Sequence, residues 1–188
     1  EIRTVEHILA AFYGLGVDNV ICEIDSEEIP FLDGSSKEFV TKLKKAGIKT
    51  LKAEKKVCSL DKKISVYDNG RRIIANPSKK LKISFLVSYD HPLIKTQFKE
   101  IKITRASFIK DISRARTFAW EEQVKKQKEM GLIKGGNLRS AVLFGKKKVL
   151  NNEGLRFKDE VVRHKILDLL GALSLLPFKI NAHIIAVI

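Results

Sequence analysis

Apolar positions recur along the chain with two different periods, and the switches between them outline the elements. Residues 5–13 read as a helix, with Thr4 as its N-cap and Gly14 or Gly16 closing it. Residues 19–24 alternate between apolar and polar side chains, which predicts a strand, and 28–35 are rich in turn formers. From Ser36 the period returns to a helix, with Phe39, Val40 and Leu43 on one face and Gly47 near its end. Short strands are then predicted over 56–60, 63–67, 72–75 and 81–89. Asn69-Gly70 between two of them is the strongest hairpin signal in the chain. Residues 108–113 open a helix or turn, 120–130 are helical and closed by Gly131, and 141–144 form a short strand. The longest helical stretch, 155–176, is broken at Pro177, and residues 182–188 read as a buried strand.

Strands and helices thus follow one another in mixed order. This predicts an α+β fold in two sub-domains, residues 1–50 and 51–188, with the boundary around residues 50–53. A length of 188 residues suffices for a sizeable core. No apolar run approaches the roughly 20 residues that span a bilayer, so stable membrane insertion is not expected. The chain opens on Glu1 without an initiator Met or apolar leader, and 184–188 stop in mid-strand; both ends read as cuts in a longer protein. Cys22 and Cys58 form neither a disulfide framework nor a zinc ribbon and are expected as buried free thiols in a reducing cytoplasm.

The net charge of +14 favours an anionic partner. The lysines are scattered in twos and threes, without aromatic interleaving or a recognisable nucleic-acid module, so no nucleic acid is expected as the partner.

Candidate chemistry sits near the two ends. His164 and Asp168 are four apart in a helical stretch, which stacks them on one face as two ligands of one metal require. Imidazole nitrogen and carboxylate oxygen both suit zinc, and a catalytic zinc takes three protein ligands with one open position. His7 can supply the third ligand, and Glu6 beside it can accept a proton from water. Each pair alone has a plainer reading, as a solvated histidine or a helix-initial acid.

The surrounding motifs are Thr4–Ala11 (TVEHILAA), Gly16–Asn19 (GVDN), Glu28–Ser35 (EIPFLDGS), Ala115–Phe118 (ARTF) and Gly154–Asp168 (GLRFKDEVVRHKILD). In this order they closely resemble the zinc-dependent UDP-3-O-acyl-N-acetylglucosamine deacetylases of lipid A biosynthesis. The resemblance implies a cytoplasmic Gram-negative enzyme, expected as a monomer, that releases acetate from a UDP-linked acylated glucosamine on the way to lipopolysaccharide. It implies a two-domain sandwich of small sheets layered with helices, the zinc lying between the domains. Carried over by motif, His7, His164 and Asp168 hold Zn2+, Glu6 is the general base, Thr117 helps stabilise the oxyanion, and Lys165 brings positive charge to the substrate. Phe118 and a βαβ insert around 118–145 receive the acyl chain, with Gly131, Gly135 and Gly136 allowing close backbone approach. His91 and His183 are read as structural.

The family pattern is broken in three places. A general-acid histidine in a Ser-Gly-His stretch is expected beyond Ile188, Ala172 stands where the family carries an acid, and the N-terminal portion of the first domain is expected before Glu1. An isolated chain of this extent is expected to turn over poorly. Two other functions compete: a catalytically silent zinc-binding scaffold, supported by Ala172, and a basic nucleic-acid binder, supported by charge alone. The ligand set would also accept iron(II) or cobalt(II).

Overall fold

The computed structural model describes residues 1–130 and 140–188. Its strands are β1 (Val57–Ser59), β2 (Ile64–Asp68), β3 (Arg71–Pro77), β4 (Lys82–Ser88), β5 (Thr96–Lys102), β6 (Phe118–Trp120), β7 (Val142–Phe144) and β8 (Lys179–Val187). Its helices are α1 (Glu6–Leu15), α2 (Lys37–Ala46), α3 (Arg105–Ser107), α4 (Glu121–Glu129) and α5 (Glu160–Leu173), with a π-helical turn, Phe108–Ile112, directly after α3. The chain is therefore α+β, as the mixed order of periods predicts.

The main sheet runs β2-β3-β8-β4-β5, with β1 parallel to the first residues of β8. β8 is antiparallel to β3 and parallel to β4. Ile83, Phe85 and Val87 of β4 and Ala182, Ile184 and Ala186 of β8 alternate onto one face. Val162, Ile166 and Leu170 of α5 are fully buried in the same core, which also takes in Ala10, Ala11 and Leu15 of α1. At the β2–β3 turn both Asn69 and Gly70 have positive φ (44° and 79°), the geometry of a two-residue hairpin whose twist matches its strands. β6 and β7 form a separate parallel pair with α4 between them in sequence.

Several expectations change. Thr4 does not cap α1: it has φ 57° and its hydroxyl bonds the carboxylate of Glu28. Residues 19–24 form no strand; Val20, Ile21 and Ile24 are exposed, so alternation there has no buried face to serve. β5 escapes the pattern because Thr96, Lys99, Glu100 and Lys102 leave few apolar positions to alternate. Trp120 ends a strand rather than opening a helix, and α5 begins at Glu160 rather than residue 155. Cys22 is exposed and Cys58 half-buried, not both buried. Gly131, Gly135 and Gly136 lie outside the described residues.

α1 and α5 lie against each other at Gly171. A β-carbon there would stand 2.5 Å from the carbonyl oxygen of Glu6 and 3.1 Å from its Cα, so only glycine lets the start of α1 approach α5 this closely. His7, the next residue, is thereby brought toward His164 and Asp168.

Candidate metal centre

His7 sits in the first turn of α1 and is 2% exposed. Its backbone carbonyl accepts a buried hydrogen bond of 2.7 Å from the Ser36 hydroxyl, which ties α1 to the loop before α2. His164, also 2% exposed, and Asp168 project from α5 one turn apart, with Nε2 and Oδ1 separated by 3.2 Å. The ligand atoms offered by His7, His164 and Asp168 all lie within 4.8 Å of one another. The two imidazoles meet edge to face, their centroids 5.1 Å apart.

Two polar atoms of these residues, His7 Nδ1 and Asp168 Oδ1, are buried without a hydrogen-bond partner among the described residues. Buried polar atoms are nearly always paired, so two orphans turned into one cluster are an unmet demand that a cation would fill. The donor set of two imidazole nitrogens and one carboxylate oxygen is the three-ligand chemistry of a catalytic zinc. Nδ1 of His164 lies 3.1 Å from the Ala115 carbonyl, the outer-shell bond that commonly orients a metal-ligating histidine.

The protonation states agree with this fit. Burial, followed by the neighbouring His164, lowers the His7 pKa from 6.5 to about 4, so its imidazole is neutral at pH 7. Burial pushes the Asp168 carboxyl up, but His164 and Lys165 outweigh it and hold the group below its ordinary value. Lys165 Nζ donates to Asp168 Oδ2 at 2.9 Å and lies 5.5 Å from the centre of the Phe118 ring.

Glu6 is half-buried beside His7. Thr117 is fixed by two backbone bonds of 2.7 Å, its N–H donating to Gly34 and its carbonyl accepting from Val142. Phe118 stands 6.4 Å, centroid to centroid, from His164 and continues into an aromatic group with Tyr89, Trp120 and Phe144. His91 stacks on Trp120 at 5.2 Å and 9°, and its Nδ1 accepts from Leu93 N–H. His183 bonds the Ser84 hydroxyl at 2.8 Å through Nε2. Both histidines are thus engaged away from the His7–His164–Asp168 cluster.

Sequence reading missed the ion pairs that support the site. Arg116, fully buried, bonds Glu160 through Nε at 2.9 Å and Nη2 at 3.2 Å, Glu153 through Nη1 at 2.8 Å and the Gly154 carbonyl at 2.7 Å. Arg156 reaches Asp33 at 2.8 Å and the Arg114 carbonyl at 3.0 Å. The usable signal was the spacing of Glu160 and His164, four apart on one helical face.

A family model described as UDP-3-O-acyl N-acetylglycosamine deacetylase matches residues 1–188. The chain belongs to this deacetylase family. Among the family's curated members, the UDP-3-O-acyl-N-acetylglucosamine deacetylase of Citrifermentans bemidjiense is 42% identical over 183 residues, covering 97% of this chain and 60% of its own length. The protein of the same name from Syntrophus aciditrophicus is 43% identical over 185 residues, covering 98% and 59%. That from Myxococcus xanthus is 38% identical over 185 residues, with the same coverage. The chain therefore spans about 60% of the length of the curated deacetylases it matches. No helix among the described residues is long and apolar enough to cross a membrane.

Proposed function

We propose that this chain carries the metal-binding part of a zinc-dependent deacetylase that hydrolyses the acetamide of UDP-3-O-(3-hydroxyacyl)-N-acetylglucosamine and releases acetate, in the route to lipid A. The observation that carries the reading is the convergence of His7, His164 and Asp168 with two of their donor atoms buried and unpartnered. Family membership supplies the substrate class, through the names its curated members bear.

In this reading His7, His164 and Asp168 hold Zn2+, which when bound supplies Lewis acidity and makes nearby water more acidic. Glu6, the residue before the ligand candidate His7, accepts the proton of the attacking water. Thr117 donates a hydrogen bond to the oxyanion that develops on the acetamide carbonyl. Lys165 offers its ammonium to the substrate while screening Asp168. The acyl chain lies along the aromatic group that begins at Phe118, and Gly136 belongs to the same passage. In the whole protein the metal lies between two α+β domains, the first of which includes residues 1–50, and the enzyme works as a cytoplasmic monomer.

The test is metal analysis of the purified protein together with acetate release from the acylated UDP-sugar, before and after chelation. Loss of acetate release on chelation and its recovery with Zn2+ support the reading. A protein that takes up no zinc, or one in which His7→Ala leaves zinc uptake unchanged, overturns it.

A further inference from the structure

At the end of α1 remote from the candidate metal centre, the chain borders a cavity of about 490 Å³. Three segments meet there. α1 stops at Gly16, whose positive φ (76°) turns the chain and leaves Tyr13 on the cavity wall. β8 runs parallel to β4 with His183 opposite Lys82, so its first residues, 179–181, lie beside the loop 79–81. The Ile103 N–H donates to the Leu81 carbonyl at 3.0 Å, which brings the start of α3 to the same loop. His7 sits in the first turn of α1, so about 13 Å of helix separates it from Gly16.

The charges gathered at this cavity are of one sign. Lys79, Lys80, Arg105 and Lys179 line it, and none of its lining residues is acidic. Among the described residues these four cations have no carboxylate partner, whereas Lys55, Lys82, Arg156 and Arg163 each have one. The Tyr13 hydroxyl and the Asn181 side-chain amide, also on the wall, have no hydrogen-bond partner among the described residues either. Burial pushes the Tyr13 pKa up to about 12, which keeps the hydroxyl a donor at neutral pH. The rest of the wall is apolar, with Leu15 and Leu81 buried and Ile103 and Ile180 half-buried.

A cleft lined by one sign of charge focuses its field and concentrates ions of the other sign. The volume falls within the range of about 300–1,000 Å³ usual for small-molecule sites. Ammonium and guanidinium groups are the common partners of phosphate. A carboxylate brings a single charge, while a phosphate ester brings up to about two charges and three acceptor oxygens, a better match to four cations and two neutral donors. The geometry points to a binding site for an organic phosphate. Its phosphate is held by Lys79, Lys80, Arg105 and Lys179, and its apolar body lies against Leu15, Leu81, Ile103 and Ile180. Soluble phosphate esters and the headgroups of anionic phospholipids share this chemistry. The site has no residue in common with the His7–His164–Asp168 cluster, so it stands or falls independently of the metal reading.

The test uses the whole protein labelled with nitrogen-15, and hexyl phosphate as the probe. The amide signals of Gly16, Ile103 and Ile180 should shift together and saturate. Hexyl phosphate should bind at least about tenfold more tightly than inorganic phosphate, since burying two methylenes suffices for that. Lys79→Gln combined with Lys80→Gln should weaken hexyl phosphate at least about tenfold, the loss expected for one hydrogen bond to a charged group. Lys44→Gln combined with Lys45→Gln removes the same charge from the last turn of α2, outside the cavity lining, and should leave the affinity unchanged. Vesicles of phosphatidylglycerol in phosphatidylcholine identify the source. Retention on them that is lost in the Lys79–Lys80 variant assigns the site to a lipid headgroup; retention that is absent, or unchanged in that variant, assigns it to a soluble phosphate ester. A native protein whose three amides do not respond to hexyl phosphate overturns the proposal. So does an equal loss of affinity in both double variants, the behaviour of solvated lysines acting through net charge. Equal affinity for hexyl and inorganic phosphate overturns the role of the apolar wall.

Discussion

Replacing Gly171 by alanine would place a β-carbon 2.5 Å from the Glu6 carbonyl oxygen, 3.1 Å from its Cα and 3.2 Å from its carbonyl carbon. All three neighbours are backbone, so no side chain can swing aside. An ordinary contact needs about 3.5 Å, so the start of α1 must retreat from α5 by on the order of 1 Å. Overpacking of this kind costs about 1–3 kcal/mol. The second consequence is more specific. His7 follows Glu6 directly and faces two ligand candidates fixed on α5, and metal–ligand distances hold to within about 0.2 Å. A displacement of 1 Å exceeds that tolerance several-fold, so the zinc affinity of Gly171→Ala should fall at least about tenfold. Chelator competition and thermal unfolding of the metal-free chain measure the two effects separately. Gly171→Ser should behave alike, since it adds the same β-carbon. A Gly171→Ala chain with native stability and native zinc affinity would refute the claim that this contact sets the separation of α1 and α5.

Other predictions concern single groups. In the whole protein, Glu6→Gln should keep its zinc yet lower kcat for acetate release by about 10²–10⁴-fold, the range for a lost general base, as steady-state rates and metal analysis would reveal. Ser36→Ala removes the buried bond to the His7 carbonyl; urea unfolding should give a loss of about 0.5–1.5 kcal/mol, the net worth of one hydrogen bond, because that carbonyl keeps its helical partner within α1. The metal-free chain should lose stability as pH falls. His7 resists protonation down to about 4 in the fold, whereas the unfolded side chain takes a proton near 6.5, so between those values the unfolded state binds more protons. Stability should therefore be full above about pH 6.5 and decline by roughly 3 kcal/mol in approaching pH 4, through this group alone. Urea midpoints across that window, with the His7 ring titrated by NMR, check the sign; a midpoint that rises on acidification would contradict it.

How much was legible in the sequence depended on whether a residue's role was local. The hairpin at Asn69-Gly70, the closure of α2 at Gly47 and the face shared by His164 and Asp168 follow from spacings of a few residues, and all appear in the structure. The meeting of His7 with that face is nonlocal; residue type alone offered His7 as a third ligand, and the resemblance joined the two ends. Residues 19–24 failed for the opposite reason: their alternation is genuine, but burial decides whether alternation becomes a strand, and Ile21 is 90% exposed. The pairing of Arg116 with Glu160 was not legible because nothing local marks a charged side chain as buried. Their pairing across 44 positions belongs to the tertiary fold.

β8 has a consequence for how the chain is made. β1, β3 and β4 all take it as a neighbour, yet 76 residues, 103–178, separate the end of β5 from its start. At synthesis rates of about 5–20 residues per second, β1 to β5 leave the ribosome several seconds before the strand that joins them. The hairpins β2–β3 and β4–β5 can close alone, but β3 and β4 each keep an open edge until β8 inserts between them. The nascent chain therefore passes through an interval with two unsatisfied strand edges, the condition that favours holdase binding and, without it, aggregation. Amide protection in β3 and β4, followed on ribosome-stalled chains, should rise together only after β8 has emerged.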